Sequence, residues 1–162
     1  MIRVRTNSVD DTRALAAGVA DLLRPGDLVL LCGELGAGKT AFAQGLASAL
    51  GVAGPVTSPT FTMAHRYEGR LAVNHLDVYR LDRLREADDL AVPELLDEDA
   101  VTMIEWGEAI RRELPRDYLE VTFAYGEGDD DRTLTFLPQG RWEARAELLS
   151  ERVAQTPGAQ PC

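Results

Sequence analysis

Apolar and polar positions change period several times along the chain. Ile2 and Val4 alternate with Arg3 and Arg5, the period of a strand. From Ser8 the period lengthens. Leu15, Val19, Leu22 and Leu23 recur at helical spacing, Ser8 stands where an N-cap belongs, Asp11 follows it by three, and Pro25-Gly26 ends the run. Residues 27–32 are an almost unbroken apolar stretch, the pattern of a strand buried on both faces in a parallel sheet. A glycine-rich turn comes next. Residues 39–50 then place Phe42, Leu46 and Leu50 on one stripe of a helix that Gly51 stops.

The second half is richer in strands. Residues 61–67 and 71–77 predict a hairpin joined at Glu68-Gly69, after a loop over 54–60. Residues 80–89 are charged and predict a surface segment, and Pro93 opens a short helix through Leu95 and Leu96. Residues 100–104 form an apolar run that ends in Glu105-Trp106. Residues 108–114 predict a short helix stopped by Pro115. Residues 118–125 and 133–137 predict a second hairpin around an acidic, glycine-containing turn. Residues 141–153 predict a last helix, and the remaining tail reads as disordered. The expected fold class is α/β, a P-loop NTPase-like mixed sheet with a parallel core and antiparallel hairpin strands, flanked by helices. The 162 residues suit one domain over 1–153 with a tail over 154–162, and no internal repeat is visible.

Composition narrows the function. The formal net charge is −10, which argues against direct, unaided binding of DNA or RNA, because phosphate contacts call for a basic face. Two cysteines, Cys32 and Cys162, make no disulfide framework. The first 25 residues carry Arg3, Arg5, Asp10 and Asp11 with no long apolar core, so neither a secretory leader nor a membrane span is expected, and the expected location is cytoplasmic. Among 17 basic residues the only lysine is Lys39.

That lysine falls in a motif. Gly33, Glu34, Leu35, Gly36, Ala37, Gly38, Lys39 and Thr40 match G-x-x-x-x-G-K-[ST] at every fixed position, between an apolar strand and an amphipathic helix. Glycines let the backbone wrap closely, and its N–H groups then face phosphate oxygens. The helix that follows adds the positive end of its dipole. Lys39 reaches the β- and γ-phosphates as a compact ammonium, which the planar guanidinium of arginine does not replace, and the Thr40 hydroxyl serves Mg²⁺. Such a loop needs a carboxylate at the end of a neighbouring strand. Asp77 and Glu105 both stand there, and the residues leave open which of them touches the metal. His75, Asp77 and Tyr79 share one face of an extended segment, followed by Arg80. His75 there reads more readily as a hydrogen-bonded strand histidine than as a catalyst. Thr57, Ser58, Thr60 and Thr62 make a hydroxyl-rich loop of the kind that senses a γ-phosphate.

GELGAGKT from Gly33, SPTF from Ser58, HLDVYR from His75 and IEWGE from Ile104 resemble, in order and spacing, the TsaE family, formerly YjeE, over about residues 8 to 137. The resemblance implies a small bacterial ATPase that serves threonylcarbamoyladenosine formation at position 37 of certain tRNAs. It implies work with the TsaB–TsaD pair, of which TsaD performs the transfer, so tRNA is met only indirectly. It implies that the loop from Gly33 to Thr40, with Ala41, binds ATP, that Thr40 and Glu105 hold Mg²⁺, and that Asp77 assists catalysis. It further implies that Ser58 to Phe61 form a switch-like loop, that Trp106 lies beside the site, and that Thr12 and Arg132 lie near the base end of the nucleotide.

Two other classes remain open on the residues. A small-molecule kinase would need an arginine-bearing lid, which Arg80, Arg83 and Arg85 could supply, but the hairpins after the P-loop argue against it. A nucleotide-dependent binding module would keep Lys39 and Thr40 and make no use of Asp77. Guanine specificity is excluded as an N/T-K-x-D reading, since Lys39 is the only lysine. With no arginine finger or unambiguous base in view, hydrolysis by the isolated chain is expected to be weak.

Overall fold

The computed structural model describes residues 1–59, 64–79, 96 and 98–162. Thr60 to Thr62, Arg80, Arg83, Arg85, Pro93 and Leu95 therefore lie outside the described residues, along with the charged segment and short helix expected there.

Strands β1 (Ile2–Thr6), β2 (Leu28–Gly33), β3 (Ala64–Tyr67), β4 (Ala72–Asp77), β5 (Ala100–Glu105), β6 (Leu119–Tyr125), β7 (Arg132–Pro138) and β8 (Gln160–Pro161) form one sheet. Its order is β3-β4-β5-β2-β6-β7-β1-β8. The four central strands, β4, β5, β2 and β6, run parallel, and every outer pair is antiparallel. This is the expected mixed sheet.

β2 shows why its apolar run was unbroken. Val29 and Leu31 point into the core beneath the helices, while Leu28, Leu30 and Cys32 enter a second cluster on the opposite face with Leu76 and Ile104. The first face carries α1 (Val9–Ala20), α2 (Lys39–Ala49) and α3 (Ala146–Gln155), whose buried residues join one core. Ser8 caps α1 as expected, its Oγ accepting from Asp11 N at 3.0 Å.

Three expectations need correcting. Residues 108–114 are two 3₁₀ turns, Gly107–Ala109 and Arg111–Glu113, because the chain is turned tightly by Trp106 in a left-handed conformation (φ 64°). The last helix begins as a 3₁₀ segment, Gly140–Arg145, that buries Trp142 and Arg145 before α3 starts. The tail is not disordered: Thr156 is buried, Ala159 packs on the core, and Gln160 and Pro161 pair with Arg5 and Val4 of β1.

Candidate functional site

The site sits where the parallel strands end. Asp77 and Glu105 are the last residues of β4 and β5 and stand opposite each other in register; Leu31 of β2 stands opposite Glu105. Alternation puts His75, Asp77, Met103 and Glu105 on the face that carries α2. β2 ends at Gly33 and α2 begins at Lys39, so the loop between them lies at the mouth of a cavity of about 550 Å³. Val9, Leu35, Gly36, Gly38, Lys39, Thr40, Ala41, Ser58, Asp77, Tyr79, Glu105 and Trp106 line it. The cavity is at the carboxyl ends of the strands, the place where open α/β sheets bind ligands.

The loop has the shape its glycines permit. Gly33 takes φ +132°, and a Cβ there would collide with the Phe123 carbonyl oxygen of β6. Gly38 caps α2 in the left-handed region (φ +110°), and no side chain satisfies the first amides of that helix. Three residues from outside the loop hold its crest. Tyr125 donates its hydroxyl to Leu35 O at 2.6 Å, Arg132 donates to Gly36 O at 3.4 Å while lying over the Tyr125 ring, and Glu108 accepts from Gly33 N at 3.4 Å.

Lys39 folds back over the loop. Its Nζ donates to Gly33 O at 2.6 Å and Glu34 O at 2.7 Å and lies 3.8 Å from the centre of the Trp106 ring. Burial holds its pKa below the ordinary lysine value, opposed by the nearby Glu105, Glu108 and Asp77 carboxylates. Tyr79 also packs against Trp106, ring centres 4.5 Å apart and tilted by 40°. Trp106 is the one non-glycine residue with positive φ among those described, a strained backbone kept at the rim of the cavity.

The acids divide their partners. Thr40 Oγ1 donates to Glu105, 3.1 Å from Oε1 and 3.2 Å from Oε2, and His75 Nε2 lies 2.8 Å from Oε1. Asp77 accepts from Ser58 Oγ at 2.7 Å and from Tyr79 N at 2.9 Å. The loop bearing Ser58 is held by Gln44 on Val56 O at 3.0 Å and by Tyr67, whose hydroxyl meets the Thr57 backbone.

Twelve of the expected residues are thus brought together: the whole loop from Gly33 to Thr40, Asp77 and Glu105, with Ala41 on the cavity wall and Arg132 against the loop. Thr12 is not. It is 2% exposed, its hydroxyl contacts Ser8 O and Thr6 Oγ1, and Val9, one turn earlier on α1, lines the cavity instead. Tyr125 and Glu108 were not foreseen as supports of the loop. Glu108 carried a signal in the IEWGE stretch; Tyr125, ninety residues from Leu35, carried none.

A family model described as "Threonylcarbamoyl adenosine biosynthesis protein TsaE" matches residues 6–134. The chain belongs to the TsaE family. A TsaE of Bacillus subtilis (strain 168), named as a tRNA threonylcarbamoyladenosine biosynthesis protein, is 39% identical over 151 residues, covering 92% of this chain and 94% of the relative. One from Streptomyces coelicolor is 46% identical over 122 residues, covering 72% and 81%, and one from Mycobacterium tuberculosis (strain ATCC 25618 / H37Rv) is 42% identical over 137 residues, covering 79% and 82%. The crystal structure of Bacillus subtilis YdiB superposes with a TM-score of 0.80 at 35% identity, covering 93% of this chain and 97% of that one. Membership in the TsaE family places the chain in tRNA threonylcarbamoyladenosine biosynthesis. Among the described residues, no helix is long and apolar enough to cross a membrane.

Proposed function

We propose that the chain binds and hydrolyses ATP with Mg²⁺, in support of threonylcarbamoyladenosine formation on tRNA and in concert with the TsaB–TsaD pair. The observation that carries this is the joining of Thr40 to Glu105 beside Lys39 at the uncapped N-terminus of α2. The donor set suits the ligand. Among the described residues no three histidines, cysteines or carboxylates cluster to hold a metal by themselves. A hydroxyl and one carboxylate supplemented by substrate phosphates is a hard oxygen set, which Mg²⁺ takes and thiolate- or imidazole-seeking metals do not. Mg²⁺, when bound, spreads the negative charge of the phosphates.

The chain's own residues do the rest. Loop amides and the α2 N-terminus receive the phosphate oxygens, and Lys39 exchanges its two carbonyl partners for the β- and γ-phosphates. Thr40 and Glu105 serve the cation. Asp77 accepts a hydrogen bond from the attacking water and orients it on the γ-phosphorus; the bond to the bridging oxygen breaks, leaving ADP and inorganic phosphate. Ser58 on Oδ2 and the Tyr79 amide on Oδ1 fix the carboxylate's orientation, and each oxygen keeps a lone pair for the water. A group supplied in trans by a partner adds about 10³–10⁵ in rate in P-loop GTPases, so slow turnover is expected of the chain alone.

The test is ATP turnover by the purified chain with and without TsaB–TsaD, with GTP as control. Stimulation by the pair is expected. Asp77→Ala is expected to keep ATP binding and lose the stimulated turnover, and Lys39→Ala to lose affinity, turnover or both while the fold is retained. Full stimulated turnover in Asp77→Ala removes its assigned role. ATP binding without stimulation moves the reading to phosphoryl transfer onto a small acceptor.

A further inference from the structure

His75 is a buried polar group beside the site that the proposed chemistry has not used. Its side chain is fully buried, its Nε2 lies 2.8 Å from Glu105 Oε1, and its Nδ1 has no hydrogen-bond partner among the described residues. A buried ring nitrogen without a partner is unfavourable, and a strand core would be served better by Val or Leu. What the imidazole supplies in return is one directed donor to a carboxylate that is itself only 3% exposed.

We propose that His75 is a positioning residue for the cation site: its Nε2–H pins Oε1 of Glu105 and so holds the carboxylate aimed at the Thr40 hydroxyl. Thr40 has one proton and lies nearly equidistant from the two oxygens, so it cannot by itself choose the carboxylate's rotation. His75 makes that choice. Oε1 then carries two contacts and Oε2 one, which leaves Oε2 with the greater acceptor capacity for a ligand. The parallel register supplies the geometry, because His75 is two residues before Asp77 on β4, and Asp77 stands directly opposite Glu105 on β5. An outer partner that orients a ligating carboxylate is worth about 10–100-fold in metal affinity.

The inference rests on the reading of Thr40 and Glu105 as a Mg²⁺ site, and the experiment separates the two. A fluorescent ATP analogue is titrated into wild type, His75→Leu, His75→Asn and His75→Gln, first with EDTA and then over a Mg²⁺ series. The amide nitrogen of Gln can reach the place of Nε2, whereas that of Asn reaches only the place of Nδ1. His75→Leu and His75→Asn are expected to keep the metal-free affinity and to need about 10–100-fold more Mg²⁺ for half-maximal tightening. His75→Gln is expected to return the midpoint toward wild type. A wild-type midpoint in folded His75→Leu overturns the inference, and so does rescue by Asn equal to rescue by Gln. If Leu fails to fold, the Gln–Asn comparison decides alone. Wild type that binds no nucleotide, or binds it without response to Mg²⁺, overturns the underlying reading and the inference with it.

Discussion

Cys32 shows how one residue reads its surroundings. It ends the apolar run of β2, 4% exposed, and burial pushes its thiol from the ordinary 9.0 up to about 12, with the Glu108 and Glu120 carboxylates adding to the effect. Between those values the unfolded chain has released the proton and the folded chain keeps it. The folded state then binds more protons, so stability falls as pH rises, by about 1.4 kcal/mol per pH unit from this group. Denaturant unfolding of wild type and Cys32→Ala at pH 8 and pH 10.5 checks this: the variant is expected to lose distinctly less stability between the two. The same residue illustrates what a sequence can and cannot tell. Its burial followed from the apolar neighbours. Its acidic neighbours did not, since Glu108 and Glu120 arrive from a turn and a strand more than seventy positions away. Lys39 was the opposite case, because the motif that marks it lies within six positions of it, as do the carbonyls of Gly33 and Glu34 that its Nζ meets.

At the scale of elements, α1 and α2 pack closely, and one small residue allows it. Gly45 of α2 faces Arg13 of α1, where an added Cβ would meet the Arg13 carbonyl oxygen and lie 2.7 Å from its Cα. Gly45→Ala gains about 1 kcal/mol of helix propensity, but forcing two backbones apart costs about 1–3 kcal/mol. Net destabilisation is expected, read as a lower urea midpoint with an unchanged slope. Most elements were legible because their periods are local: β2, α2 and the two hairpins appear within a few residues of where the patterns put them. The failures have physical causes. Glu108 to Leu114 is too short to separate an α turn from a 3₁₀ turn by period, and the left-handed Trp106 decided it. β8 has two residues, too few to carry alternation, and exists only because β1 offers an edge.

At the scale of the molecule, a buried ion pair ties the end of the fold remote from the cavity. Arg145 makes a paired contact with Asp27, Nη1–Oδ2 at 2.7 Å and Nη2–Oδ1 at 2.8 Å, donates to Leu22 O, and stacks on Trp142 at 3.8 Å. It thereby joins the entry to α3, the end of the α1 segment and the approach to β2. Both side chains are about nine-tenths buried, so Arg145→Met leaves a carboxylate with little left to answer it beyond the Arg24 amide. A loss of about 3–5 kcal/mol is expected, measured by thermal or urea unfolding. Asp27→Asn in the same background is expected to recover part of it, because the stranded charge is then gone.

The order of strands also governs when the molecule can be finished. β2 pairs with β5 and β6, and Gly33 stands opposite Phe123. On a ribosome, residues 28–33 emerge long before either neighbour has been made. Pairings this distant close late, after the local helices and hairpins. A growing chain therefore carries the glycine loop as an unshaped turn until β6 has been synthesised, and the loop takes its final form only as the last parallel pairing closes.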